Sequence, residues 1–344
     1  MPLVFSFLTR LILGLTLVVL PAHAATLLKE PALQENFYGV HISDSLSWIV
    51  GYYGTILHSA DRGKTWEIQA SPTRRALFTV RFVSALNGWI SGSYGTVMRT
   101  RDGGRSWHAQ PLDIAEHLFA SHWLNESHGW MAGSRGMTMQ TSDGGRSWSK
   151  AVVPGDFTFN AVTFASALRG WLAGEFGVIF QTSDGGKNWV KQRSPVEVSF
   201  ASGASQNLFA LLFTAPSNGY AFGLDGLVLQ TNDGTRWEIV QQRENVKGTN
   251  ATHHLFAAAA FNGRISAVGE RGTLLQSDVD NASWRQAELQ IPRLSLNAIA
   301  FGKDGFGLVV GNRGLVLRTD DGGKSWQRLK IITQSPENQN QRAR

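Results

Sequence analysis

The chain has 344 residues, a formal net charge of +6, 42% hydrophobic residues and only 17% charged ones. It holds 37 glycines and no cysteine. That excludes disulfides, thiolate metal sites, a cysteine nucleophile and lipid attachment through cysteine. The positive charge is spread without a Lys/Arg block, so no nucleic-acid partner is expected, and the glycine content suits many short strands joined by tight turns.

Residues 1–24 come first in chain order and read as a secretory signal peptide. Arg10 supplies the positive end, Leu11 to Leu20 the apolar run, and Ala22-His23-Ala24 the small residues before a cut at Ala25. A retained membrane anchor is the alternative. Export to a periplasm is the expectation.

The remainder is periodic. Trp66, Trp107, Trp148, Trp189, Trp237, Trp284 and Trp326 follow one another at gaps of 41, 41, 41, 48, 47 and 42 residues. A period near 40 marks one supersecondary unit repeated in tandem. In the second copy, Phe78–Phe82 alternates as a strand. Gly88–Gly92 is the next, and Ser93-Tyr94 turns the chain into Gly95–Thr100. Asp102-Gly103-Gly104-Arg105-Ser106-Trp107 then leads into a fourth. Four short strands per copy and seven copies predict an all-β fold, a seven-bladed β-propeller over residues 25–332. The polar residues 333–344 are expected to be a disordered tail.

Two turns recur in each copy. The second strand runs into Gly-x-x-Gly, which suits a tight hairpin with positive φ. The third and fourth strands are joined by Ser/Thr-x-Asp-x-Gly-x-Ser/Thr-Trp, whose aspartates are Asp61, Asp102, Asp143, Asp184, Asp233 and Asp321. The fifth copy of this turn is one residue short. The sixth is degenerate, with Val279 and Asn281 where Asp and Gly are expected. A carboxylate required by nearly every copy reads as part of the turn, bonding its own backbone amides.

These turns resemble the Asp-box, or BNR, repeat of sialidases, sortilin-type receptors and photosystem II assembly factors. The unit Gly-Trp-x-x-Gly-x-x-Gly…Thr-x-Asp-Gly-Gly-x-x-Trp over residues 36 to 330 is most similar to the Ycf48/Hcf136-type factors. The resemblance implies a non-enzymatic scaffold that binds membrane-protein segments or complex subunits. One departure is the missing cysteine, through which cyanobacterial members are typically lipid-anchored.

Binding residues are sought where the copies differ. In a propeller the hairpins between second and third strands share one face with the connections between copies. Candidates there are Tyr52, Tyr53, Tyr94, Arg135, Phe176, Arg271 and Arg313 at the hairpin tips, with Arg74 and Arg75 from the first connection. Aromatic and arginine side chains are enriched at binding hot spots. The two longest connections, 190–207 and 239–253, reach the same face. The partner expected is a protein, a membrane protein or a membrane-complex subunit, bound by a monomeric ring.

A second hypothesis is a sialidase-like glycoside hydrolase. Arg135, Arg271 and Arg313 with Glu175, Asp225 and Glu270 would supply its charges, but equivalent tips lie around a rim, and hydrolysis needs carboxylates about 5 to 10 Å apart. No catalytic residue, cofactor or metal is assigned. His117, His122 and His128 crowd one strand and its loop without carboxylates and read as exposed loop histidines rather than a metal site.

Overall fold

A computed structural model describes residues 33–198, 206–241, 253–278, 283–331 and 333–334. The expected signal segment, the tail beyond 334, Val279 and Asn281, and parts of both long connections lie outside them. Among the described residues the strands form seven sheets, each containing a four-stranded antiparallel meander, with a fifth strand added to one of them. Blade 1 comprises β1 (Phe37–Ser43), β2 (Leu46–Gly51), β3 (Ile56–Ser59) and β4 (Trp66–Gln69). Blade 2 comprises β5 (Leu77–Phe82), β6 (Gly88–Gly92), β7 (Val97–Thr100) and β8 (His108–Ala109). The innermost strands of the other blades are β9 (Leu118–Trp123), β13 (Phe159–Phe164), β17 (Leu208–Phe213), β21 (Leu255–Phe261) and β25 (Leu296–Phe301). Each innermost strand packs on the next, and β25 packs on β1, so the ring is closed.

The core is divided among the seams. Seven apolar clusters lie one between each pair of neighbouring blades. At the seam of blades 3 and 4, Trp130 stacks on Phe164 at 3.7 Å between centroids. Its indole N–H donates to Gly185 O at 2.7 Å. Trp89 repeats this one blade earlier, stacking on Trp123 at 3.7 Å and donating to Gly144 O at 3.2 Å. Trp171 does so one blade later, on Phe213 at 4.0 Å and to Gly234 O at 2.7 Å. The tryptophan after the repeated glycine thus bolts its blade to the Asp-box of the next. A hydrogen bond satisfies the one polar atom of a ring otherwise buried in apolar contact.

Ring closure does not use a shared blade. The last blade keeps four strands of its own. The chain then returns to lay β29 (Thr333–Gln334) parallel to Trp66 and Glu67 on the outer edge of blade 1. Residues 26–32 lie outside the described ones. Just beyond them, Gly314 N–H donates to Glu35 O and Arg313 N–H to Asn36 Oδ1 at 3.1 Å. On the opposite face Arg62 forms ion pairs with Asp304 and Asp320 across the same seam.

The hairpin glycines divide their roles differently from the expectation. In the second copy the turn closes by Thr96 N–H donating to Ser93 O. The two residues with positive φ are Tyr94 (51°) and Gly95 (64°). Gly92 is needed for another reason: a Cβ there would stand 2.2 Å from Ala76 O.

Candidate functional site

The backbone sorts the loops onto two faces. Hairpin tips bond to the connections between blades: Ser93 N–H donates to Ala76 O, and Gly95 N–H to Glu116 O. Asp-boxes bond to the loops between first and second strands: Gly103 N–H donates to Leu86 O, and Gly144 N–H to Ser127 O. The tip face is therefore separate from the box face, and the candidate binding residues stand on the former.

On the box face the aspartates are occupied by their own turns. Asp102 Oδ1 accepts from Ser106 N–H at 3.0 Å and from the Thr100 hydroxyl at 2.7 Å, while Oδ2 accepts from the Ser106 hydroxyl at 2.5 Å. Partial burial raises its pKa, but the Ser106 and Thr100 bonds outweigh that and bring it to about 2. Asp184 and Asp321 also fall to about 2, held by Asn188 and by Ser325 (against partial burial) respectively. Asp61, Asp143 and Asp233 are lowered as well, and their carboxylates accept from Thr65, Ser147 and Arg236 N–H. Such carboxylates are spoken for and ionised at neutral pH.

On the tip face the structure adds residues that the sequence reading missed. The second residue of each innermost strand faces the central channel mouth: Tyr38, Phe78, Phe119, Asn160, Phe209, Phe256 and Asn297. Five of the seven are aromatic. The missed signal was positional, since each follows the fully buried Phe or Leu that opens its strand.

Around blades 1 to 3 these rings touch the tip residues in one chain. Tyr53 meets Tyr52 at 4.8 Å, Tyr52 meets Tyr38 at 6.4 Å, and Tyr38 meets Phe78 at 5.8 Å. Phe78 meets Phe119 at 5.1 Å, and Phe119 meets His117 at 5.7 Å, which meets Tyr94 at 4.6 Å. The outer members stay open to solvent: Tyr53 is 68% exposed, Tyr94 57% and Tyr52 48%. Tyr53 N–H donates to Glu35 Oε1 at 2.8 Å, which fixes the first tip.

The other candidates divide. Arg75 is gathered to Tyr94, while Arg74 stands exposed beside it. Arg135 pairs with Glu116 at 3.8 Å. Phe176 is half-buried and turned onto Phe157 of its own blade at 6.5 Å. Arg271 and Arg313 are exposed on blades 6 and 7, apart from the aromatic chain.

Of three carboxylates weighed for hydrolysis, one is hydrogen-bonded and two lie beside a histidine. Glu175 Oε2 accepts from Thr158 N–H at 2.8 Å. Asp225 and Glu270 flank one imidazole: His254 Nδ1 accepts from Asp225 N–H at 3.2 Å, and Nε2 lies 3.8 Å from Glu270 Oε2. Among the described residues no group of three or more His, Asp or Glu side chains is placed to hold a metal ion.

The histidines depart from the expectation of exposed loops. His122 lies on β9, nearly enclosed beside Trp130 and Phe164, and its pKa is pushed down to about 4 by burial and by Arg81. His117 stands between Tyr94 and Phe78, with its Nδ1 buried and without a hydrogen bond. Phe164 beside His122, and Tyr94 and Phe78 beside His117, come from adjacent blades, which strand-and-loop position alone does not show.

The sequence model of the family described as photosynthesis system II assembly factor YCF48 matches residues 65–153, 119–197 and 276–343, more than half of the chain. The chain belongs to the Ycf48 family. Three solved structures show where this Ycf48-family fold recurs. "YCF48 bound to D1 peptide" is 24% identical with a TM-score of 0.56, covering 73% of this chain and 81% of that one. "YCF48 from Cyanidioschyzon merolae" is 17% identical with a TM-score of 0.64, covering 84% and 97%. An ancestral GH74 enzyme is 13% identical with a TM-score of 0.67, covering 87% of this chain and 47% of that one. At these identities the likeness is one of fold. No curated protein matches the chain.

Proposed function

We propose that this Ycf48-family chain is an exported, non-enzymatic assembly factor. It binds a segment of a membrane-complex subunit on the tip face, at the mouth of the channel. The observation that carries this reading is the aromatic chain from Tyr53 through Phe78 to Tyr94, held rigid by the blades and left open at its outer rings. Rigid aromatic surface gives contact area at small entropic cost. A relative solved with a D1 peptide supports a peptide segment as the ligand. Arg74, Arg75 and Arg135 beside the aromatics suit acidic groups on that segment. Export rests on residues 1–24 and would place the ring in a periplasm.

The experiment is site-specific photocrosslinking in cells. A benzoylphenylalanine at Tyr94 should capture a membrane-complex subunit, and the same group at Lys324 on the box face should not. Equal capture from both positions, or none from Tyr94, would sink the tip-face reading.

The GH74 fold neighbour keeps glycoside hydrolysis as a second reading. A panel of fluorogenic glycosides separates the two. Turnover that Glu175→Gln or Glu270→Gln abolishes would replace the scaffold with a hydrolase.

A further inference from the structure

Below the aromatic mouth the channel continues as a cavity of about 190 Å³, and one charged side chain lines it: Arg81 of β5. The guanidinium lies deep among the surrounding strands, yet Arg81 as a whole is exposed, its surface open to the channel. One nitrogen, Nη1, donates to Val80 O at 3.1 Å and to Val40 O at 3.5 Å. Among the described residues no hydrogen bond is made by Nε or Nη2, and no carboxylate pairs with the group. Burial is the one influence on its pKa, which is lowered by it.

The neighbours supply no negative charge. At the same register on the flanking blades stand His41 and His122, opposite Trp48 and Trp130 as Arg81 is opposite Trp89. Both imidazoles are neutral at pH 7, His41 being pushed down to about 3 by burial and by Arg81. The hydroxyls above are committed to one another. Ser91 donates to Leu118 O at 3.3 Å, which leaves Thr79 to donate to Ser91 and Ser121 to Thr79, each at 2.7 Å. All three protons are consumed, so the free edge of Arg81 is the strong donor that remains.

A guanidinium edge that no protein acceptor takes up is open to an anion that enters the channel. The Nε–Nη2 edge of a guanidinium matches the two oxygens of a carboxylate. The geometry points to the channel as a carboxylate receptor, in which Arg81 takes the two oxygens of a small carboxylate or a chain-terminal carboxylate that enters past Tyr38, Phe78 and Phe119. The site stands independently of whether a partner docks on the rim.

The test is thermal unfolding of the mature protein and of Arg81→Gln, titrated with sodium acetate against sodium chloride. Two further probes are acetylated trialanine with a free and with an amidated C-terminus. Acetate should raise the wild-type melting point saturably by roughly 2 °C over the chloride control, and Arg81→Gln should lose the effect. A rise with the free-acid peptide but not its amide adds chain ends to the ligands; a rise with acetate alone confines the site to small carboxylates. Equal acetate response in wild type and variant overturns the proposal. If Arg81→Gln does not fold, wild-type crystals soaked in bromide decide: an anomalous peak at the Nε–Nη2 edge is expected, and a bare edge at high bromide overturns it.

Discussion

Arg75 clasps Tyr94. Its Nη1 donates to the Tyr94 carbonyl at 2.8 Å, and the guanidinium carbon lies 5.7 Å from the centre of the Tyr94 ring. The pair joins a connection of blade 1 to a hairpin tip of blade 2. It holds an exposed aromatic ring at a position where the backbone itself prefers another residue, because Tyr94 has φ 51°.

That backbone preference allows folding to be separated from binding. Asn occupies the left-handed region more readily than Tyr. Tyr94→Asn should therefore leave stability within about 0.5 kcal/mol of wild type or raise it. Combined with Arg135→Ala, which breaks only a surface ion pair, it should still sharply reduce co-purification of the partner. Undiminished capture by the double variant would remove this face from consideration.

Acid should weaken the fold in two steps. His41 and His122 have folded pKa values of about 3 and about 4, below the ordinary value near 6.5. The unfolded chain takes up their protons first, so stability falls as pH drops from about 6.5 toward those values. Asp102, Asp184 and Asp321 have folded values of about 2. Their contribution is intact above about 4 and is lost from about pH 4 down to about 2. Urea unfolding across this range should show both phases, with His122→Asn shrinking the first and Asp102→Asn the second. A flat profile between pH 6.5 and 4 in wild type would contradict the buried histidines.

Trp130→Phe should cost about 1–3 kcal/mol in denaturant unfolding. It keeps much of the stacked surface on Phe164 but leaves Gly185 O without its donor. A loss below about 0.5 kcal/mol would mean that the indole bond between blades contributes little.

Two glycines should respond differently to alanine. Gly92→Ala places a carbon 2.2 Å from Ala76 O, so the hairpin and the blade connection must separate, and a melting-point drop of several degrees is expected. At Gly263, with φ 80°, nothing lies within 4 Å of the added carbon. Only left-handed strain of about 1–2 kcal/mol should appear there. Equal losses at both sites would remove the steric argument for Gly92.

The architecture was legible because its marks are local and repeated. Trp66 to Trp326 beat out the blades, and the Thr100–Asp102–Ser106 pattern announces a self-bonded turn wherever it occurs. The tips at Tyr52, Tyr53 and Tyr94 were legible for the same reason. Tyr38, Phe78 and Phe119 were not singled out, because along one strand an aromatic at a core-like register looks like any other buried residue. Only the closing of the ring shows that its second position opens on the channel. Arg81 was silent on similar grounds: whether an arginine in a strand meets water, an acid or nothing depends on neighbours some 40 residues away, Val40 and His122 among them.

The two-residue strand at Thr333 and Gln334 has a mechanical consequence. Both ends of the circle meet at blade 1, where Glu35 and Asn36 hold the last hairpin and the returning chain lies against Trp66. The circle thus has one clasp, and every other seam is made by chain that runs continuously across it. Pulled from its ends in a force spectrometer, the molecule should give way first at that clasp, and the six seams behind it should peel only afterwards.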